Sequence, residues 1–150
     1  MQLSPHFSLE EFIYSGTAVR RGIDNRPTQE HLSNMALVAQ MILEPVRAHF
    51  GVPIRVSSGY RSEKLNRAVG GARSSQHCNG EAVDFTVQGV PNEVVCQWIA
   101  QNLMFDQLIL EFPPSGWVHC SFTNDRPNRK SILTAKKTGT KTAYIPGIHP

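Results

Sequence analysis

Three short stretches of this chain alternate apolar and polar residues, and that alternation constrains the fold more than any other feature. From Ala82 to Val87, Val83, Phe85 and Val87 take one side and Ala82, Asp84 and Thr86 the other. Gln107 to Phe112 repeats the pattern, with Leu108, Leu110 and Phe112 opposed to Gln107, Ile109 and Glu111. Trp117 to Phe122 does so again, with Val118, Cys120 and Phe122 opposed to Trp117, His119 and Ser121. A period of two marks a half-buried strand. One face of the resulting sheet must bury the aliphatic set. The other must then carry Asp84, Glu111 and His119 into a cleft.

The remaining elements read as support. Ser8 and Glu11 form a capping box for a short helix reaching about Tyr14. Gly16 and the polar stretch from Arg20 to Pro27 read as loop. Thr28 caps a long helix whose Leu32, Met35, Ala36, Ala39, Ile42, Leu43, Val46 and Phe50 recur on one face. Pro45 should kink that helix and Gly51 should end it. His31 and His49 on it read as surface or packing residues. Val52 to Ser58 is strand-like, Ser62 caps a helix from Glu63 to Val69, and Gly70-Gly71 stops it. Pro91 suits the first position of a helix to about Asn102, with Val94, Val95, Trp98 and Ile99 inward. The expected class is α+β: a small antiparallel sheet bearing the site, with helices packed on it, one long and kinked.

A chain of 150 residues, 40% of them hydrophobic, suits one domain with a real core. The net charge of +3 is mild but uneven. Arg126, Arg129, Lys130, Lys136, Lys137 and Lys141 follow one another without an acidic residue, in a stretch from 125 to 150 that reads as a basic C-terminal extension. Such a run is usually a solvated face; its functional reading is contact with an anionic envelope. Nucleic acid is disfavoured, because no aromatic residues interleave with the charges. The tail has room for strands at Ile132 to Lys136 and Thr142 to Ile145. No apolar stretch is long enough to span a membrane, and Met1 to His6 lacks the pattern of a secretory signal. Three cysteines, Cys78, Cys96 and Cys120, make no disulfide framework.

The chemistry concentrates between Ser75 and Asp84, which reads S-x-H-x-x-G-x-A-x-D. A catalytic zinc takes three protein ligands and keeps one position open. His77, Asp84 and His119 are the candidates; the last two lie on the polar faces of alternating strands. A hydrolase also needs a general base. Glu111 is chosen on geometry. If Phe112 to Gly116 is a five-residue hairpin loop, Glu111 pairs with Trp117 and Ile109 with His119, and directly paired residues share a face. A four-residue loop would set Glu111 against Val118 and remove it from the cleft. Glu81 shares the parity of core-facing Val83 and is the weaker choice. Asp106 reads as a turn residue. Arg61 suits recognition of a carboxylate or polarised carbonyl by its planar fork. Ser75 is read as orienting a ligand or binding substrate, and Gln76 as a further donor. Cys120 has core parity, and Cys78 is a competitor for metal by proximity alone.

Ser58-Gly59-Tyr60-Arg61-Ser62, the Ser75 to Asp84 motif and Trp117-Val118-His119 together resemble the zinc D-alanyl-D-alanine carboxypeptidase family. That family includes phage endolysin and VanY-type peptidases, within a fold group shared with lysostaphin and the hedgehog signalling domain. Phe7 to Phe12, Leu43 to Arg47 and Val69 to Ala72 resemble one branch of it, so the likeness covers about the first 122 residues. It implies His77, Asp84 and His119 as ligands of one zinc ion, Arg61 as a substrate-binding arginine, and peptidoglycan stem peptides as substrate. It also implies a base on the segment before the last ligand. One position departs: many relatives place the catalytic glutamate three residues before the last histidine, where this chain has Gly116.

Two functions follow as expectations. The first is a monomeric zinc peptidase acting on the bacterial cell wall after release from the cytoplasm, as a phage lysis enzyme or a virion-associated hydrolase does. The second is a zinc-stabilised wall-binding or structural module without turnover, which the glycine at 116 keeps open.

Overall fold

Local capping chemistry sets where the chain first becomes helical. The computed structural model describes residues 1–150. Strands β1 (Gln2–Ser4) and β2 (Phe7–Ser8) form a small ladder leading into helix α1 (Leu9–Ile13). Ser8 accepts from the Glu11 N–H, and the Glu11 carboxylate accepts from the Ser8 N–H at 2.7 Å, which is the predicted capping box. A further helix, α2 (Gly16–Arg21), occupies part of the stretch read as loop. Its N-cap is Ser15, whose hydroxyl accepts from Ala18 N–H, and Ala18 is its buried residue. A single inward side chain gives no periodicity to read.

The long helix is helical throughout but not uniformly α. Helix α3 (Gln29–Val38) passes into a π-helical turn, Ala39–Leu43, and then into α4 (Glu44–Phe50). Pro45 has no N–H and its ring crowds the preceding turn. The irregularity expected at Pro45 is thus taken up just upstream, where the Glu44 N–H reaches back to Ala39 O in the wider π pattern. Thr28 caps α3 as predicted. His31 Nδ1 accepts from the Thr28 N–H, and its ring packs at a tilt against Tyr60; His49 stacks on Trp98.

Strand β3 (Ile54–Ser58), helix α5 (Glu63–Ala68), strand β4 (Ala82–Val87), helix α6 (Asn92–Asn102) and strands β5 (Gln107–Glu111), β6 (Trp117–Ser121), β7 (Ser131–Thr138) and β8 (Lys141–Pro146) complete the chain. The six longer strands form one sheet in the order β3-β4-β6-β5-β7-β8. The class is α+β, as expected, but the main sheet is larger than predicted and mixed, because β5 and β7 run parallel. The basic stretch supplies its last two strands: β7 hydrogen-bonds along β5, and β8 along β7.

One face of the sheet presents Val83, Phe85, Leu108, Leu110, Val118 and Cys120 to a core shared with Met35, Ile42, Leu43 and Val46 of the long helix. Helix α6 joins this core through Val95, Cys96 and Ile99, whereas Val94, expected inward, is 40% exposed and Cys96 takes its place. Pro91 is the N-cap of α6, so the helix begins at Asn92, one residue later than predicted. Phe112 leaves the alternation as well. Its φ of 53° turns it out of β5, and its ring meets Trp117 edge-on. Each large aliphatic or aromatic side chain buried here contributes roughly 1.5–3 kcal/mol. The opposite face is left to the polar residues.

Candidate metal centre and hydrolytic cleft

Asp84 and His119 are direct cross-strand partners on β4 and β6. Asp84 Oδ1 lies 2.9 Å from His119 Nδ1, and Asp84 Oδ2 lies 3.3 Å from His77 Nε2. All three residues are buried. His77 arrives on a 3-10 turn, Gln76–Asn79, closed by Gly80 at a φ of 75°. A Cβ at Gly80 would stand 2.7 Å from the His31 carbonyl oxygen, so only glycine lets the turn pack against α3.

The orientation of His77 is set from behind. Its Nδ1 donates to Gly59 O at 2.6 Å, which leaves Nε2 as the free lone pair facing Asp84. Gly59 sits against α1 so closely that a Cβ would lie 2.6 Å from Phe12 O, and the next residue, Tyr60, donates its N–H to that oxygen at 2.8 Å. Asn25 ties the same turn down. Its amide donates to Ile13 O and Tyr60 O, and its Oδ1 accepts from the Ser62 N–H at 2.7 Å. Arg61 N–H in turn donates to His77 O at 3.1 Å. The roles of Gly59 and Asn25 escape a sequence reading because both act through backbone groups remote in the chain.

The donor set fits a divalent cation. The three ligand atoms all lie within 4.8 Å of one another. Ligands about 2.0–2.1 Å from a tetrahedral zinc stand about 3.3–3.4 Å apart, close to the spacing found around Asp84. Burial pushes the Asp84 carboxyl up, but the His77 and His119 imidazoles outweigh it and hold the group well below the usual carboxylate range. Burial also pushes His77 down, which favours the neutral imidazole. A carboxylate beside a neutral imidazole is the protonation state that metal binding needs.

Glu111 enters the same cleft. Glu111 pairs with Trp117 and Ile109 with His119, as the five-residue loop Phe112 to Gly116 requires. The Trp117 indole N–H donates to Glu111 Oε2 at 3.1 Å. Burial pushes the Glu111 carboxyl up, and the negative charge of Asp84 adds to this. The glycine at 116 acquires a reason. A Cβ there would overlap the Glu111 carbonyl oxygen, so this hairpin admits no side chain three residues before His119. The carboxylate that lines the cleft here, Glu111, lies on the opposite strand.

The cleft, about 830 Å³, is lined by the metal-site residues, Glu111, Arg61, Ser75 and Gln76. Arg61 Nε and Gln76 Nε2 are buried without a hydrogen-bond partner in the protein, on residues that line the cleft. Ser75 Oγ accepts from the His77 N–H at 3.2 Å and so caps the turn that carries the ligand. Cys78 is half-buried on a neighbouring hollow, and Cys120 is buried in the core, where desolvation pushes its thiol well up. Glu81 is buried beside Asn79 and stands apart from the cluster. Asp106, read as a turn residue, is fully buried and bound by both Arg126 and Arg129.

No curated protein matches the chain. The Peptidase M15 family model matches residues 5–121, from the N-terminal ladder to the last residue of β6, and so takes in every residue of the metal cluster together with Glu111. The chain therefore belongs to the Peptidase M15 family.

Proposed function

We propose that the protein is a zinc-dependent peptidase that hydrolyses peptide bonds in peptidoglycan stem peptides. The observation that carries this reading is the convergence of His77, Asp84, His119 and Glu111 on one cleft by strand register. Membership of a peptidase family supports hydrolysis. The stem-peptide substrate is supported by the motif resemblance and by the polar lining of the cleft.

Zinc held by His77 Nε2, Asp84 and His119 Nδ1 would polarise the scissile carbonyl and make water a stronger nucleophile near neutral pH. Glu111 accepts the proton of the attacking water and passes a proton to the leaving amine. Its raised proton affinity suits both steps. Trp117 holds Oε2 in place, and Oε1 has no hydrogen-bond partner within the protein. Arg61 and Gln76 supply the donors that fix the peptide's carbonyl or carboxylate groups. Burial of the cluster strengthens each of these interactions relative to water.

Mass spectrometry of purified peptidoglycan digested by the zinc-loaded protein tests the proposal. New amine and carboxyl termini at one stem-peptide bond are expected, and they name the bond as D-Ala-D-Ala, L-Ala-D-Glu or a cross-bridge. Intact peptides from several wall types would instead favour a zinc-stabilised binding module. No helix is long and apolar enough to cross a membrane. Action on the wall after release, and envelope contact through the basic residues, complete the proposal.

A further inference from the structure

The matched family region stops at residue 121, but the cleft does not. Strand register carries its floor onward. Glu111 pairs with Ala135 on β7, and Ala135 pairs with Tyr144 on β8. Paired residues share a face, so Tyr144 stands on the same side as Glu111, with the small, buried Ala135 between them. Lys137 lies two residues beyond Ala135 and takes that face too. Both Lys137 and Tyr144 line the cleft.

The cations of the basic run divide into two kinds. Arg126 and Arg129 are held by Asp106 at 2.7 and 2.8 Å. Lys137 has no carboxylate within salt-bridge distance; its ammonium sits over the Phe112 ring, 5.1 Å from the centroid. The ring steers the charge to the cleft lip without neutralising it. Tyr144 is 55% exposed, and its hydroxyl makes no hydrogen bond within the protein. A phenol keeps its proton at neutral pH, and partial burial and the charge of Glu111 raise the proton affinity of this one further.

We propose that Lys137 and Tyr144 form a carboxylate-binding subsite that extends the peptidase cleft across β7 and β8 and selects acidic peptides. This rests on the peptidase reading above. Strands about 4.8 Å apart put β7 and β8 roughly 10 and 14 Å from the ligand-bearing β6. An extended peptide advances about 3.3–3.6 Å per residue, so the subsite meets a carboxylate roughly three to four residues from the bond that is cut.

The test uses the full zinc-loaded chain and two synthetic stem peptides, identical except that the non-terminal carboxylates are free in one and amidated in the other. Affinity is measured by calorimetry on a Glu111→Gln background, where turnover is slow. Lys137→Ala should weaken binding of the acidic peptide about fivefold to tenfold and leave the amidated peptide unaffected. Tyr144→Phe should weaken it by a smaller factor, and Lys137→Arg should restore it. With Glu111 present, the loss should fall on KM. Equal weakening of both peptides, or of neither, would overturn the subsite. Discrimination between the peptides without cleavage of either would sink the peptidase reading and leave the subsite standing. A protein that binds neither peptide contradicts both.

Discussion

Two buried aspartates, Asp84 on β4 and Asp106 just before β5, have opposite meanings. Asp106 accepts from the forks of Arg126 and Arg129, at 2.7 to 3.3 Å, and from the Arg129 backbone N–H at 3.0 Å. Asp84 is held by His119 and His77. In both cases burial opposes the charge and the neighbours outweigh it, so both carboxyls lie well below the usual range. The difference is in the partners. Guanidinium is permanently charged and has no lone pair, so the Asp106 cluster is electrostatically complete. Imidazole can be neutral and has a lone pair to offer. The Asp84 cluster therefore keeps its negative charge and its donor atoms for a cation. A buried carboxylate becomes a metal site when its partners are ligands and a structural tie when they are cations.

The sharpest way to break this comparison is to exchange carboxylate for amide at each site. Asp84→Asn should lower zinc affinity by about 100-fold or more, since even outer partners of a ligand cost 10- to 100-fold. Chelator competition measures this. Asp106→Asn should leave zinc affinity unchanged; a comparable loss there would erase the distinction.

Stability should respond the other way. Asp106→Asn leaves two half-exposed guanidiniums without their counter-charge and should cost about 2–3 kcal/mol, or roughly 5–10 °C in Tm. The pH dependence has a defined sign. The folded protein holds Asp106 below its ordinary value of 3.8, so the unfolded chain binds more protons in acid. The advantage of wild type over Asp106→Asn should be complete above about pH 5 and shrink as pH falls through 4 and below. Denaturant titrations at a series of pH values report it, and a difference independent of pH would show that the tie is not ionic.

A smaller effect concerns the cleft carboxylate. Trp117→Phe keeps the ring and removes the indole N–H that orients Glu111 Oε2. One hydrogen bond to a charged group is worth about 1.5–3 kcal/mol at most, and part is recovered by water in an open cleft. A three- to tenfold fall in kcat with unchanged zinc affinity is expected, on the order of 1 kcal/mol.

What was legible in the sequence is what local period and loop length control. The parity of Asp84, Glu111 and His119, the five-residue hairpin and the Ser8, Thr28 and Ser62 caps all follow from neighbours in the chain. Long-range partners were not legible. Asp106 looked like a turn residue because its arginines come 20 and 23 positions later, inside a run that read as solvated surface. The parallel pairing of β7 with β5 has no local signal at all. The same holds for Gly59, whose closeness to Phe12 becomes visible only when α1 is docked against β3. Helix α2 was missed because capping by Ser15 and the burial of Ala18 leave no amphipathic pattern.

The central claim is that the open aspartate cluster and Glu111 work together as a peptidase site. The direct measurement is release of new amino groups from purified peptidoglycan by zinc-loaded wild type and by Glu111→Gln, with bound zinc quantified in both. The account predicts steady release by wild type, a fall of about 10²–10⁴-fold in the variant, and one zinc per chain in each. Equal release by the two proteins, or none from zinc-loaded wild type, would contradict it.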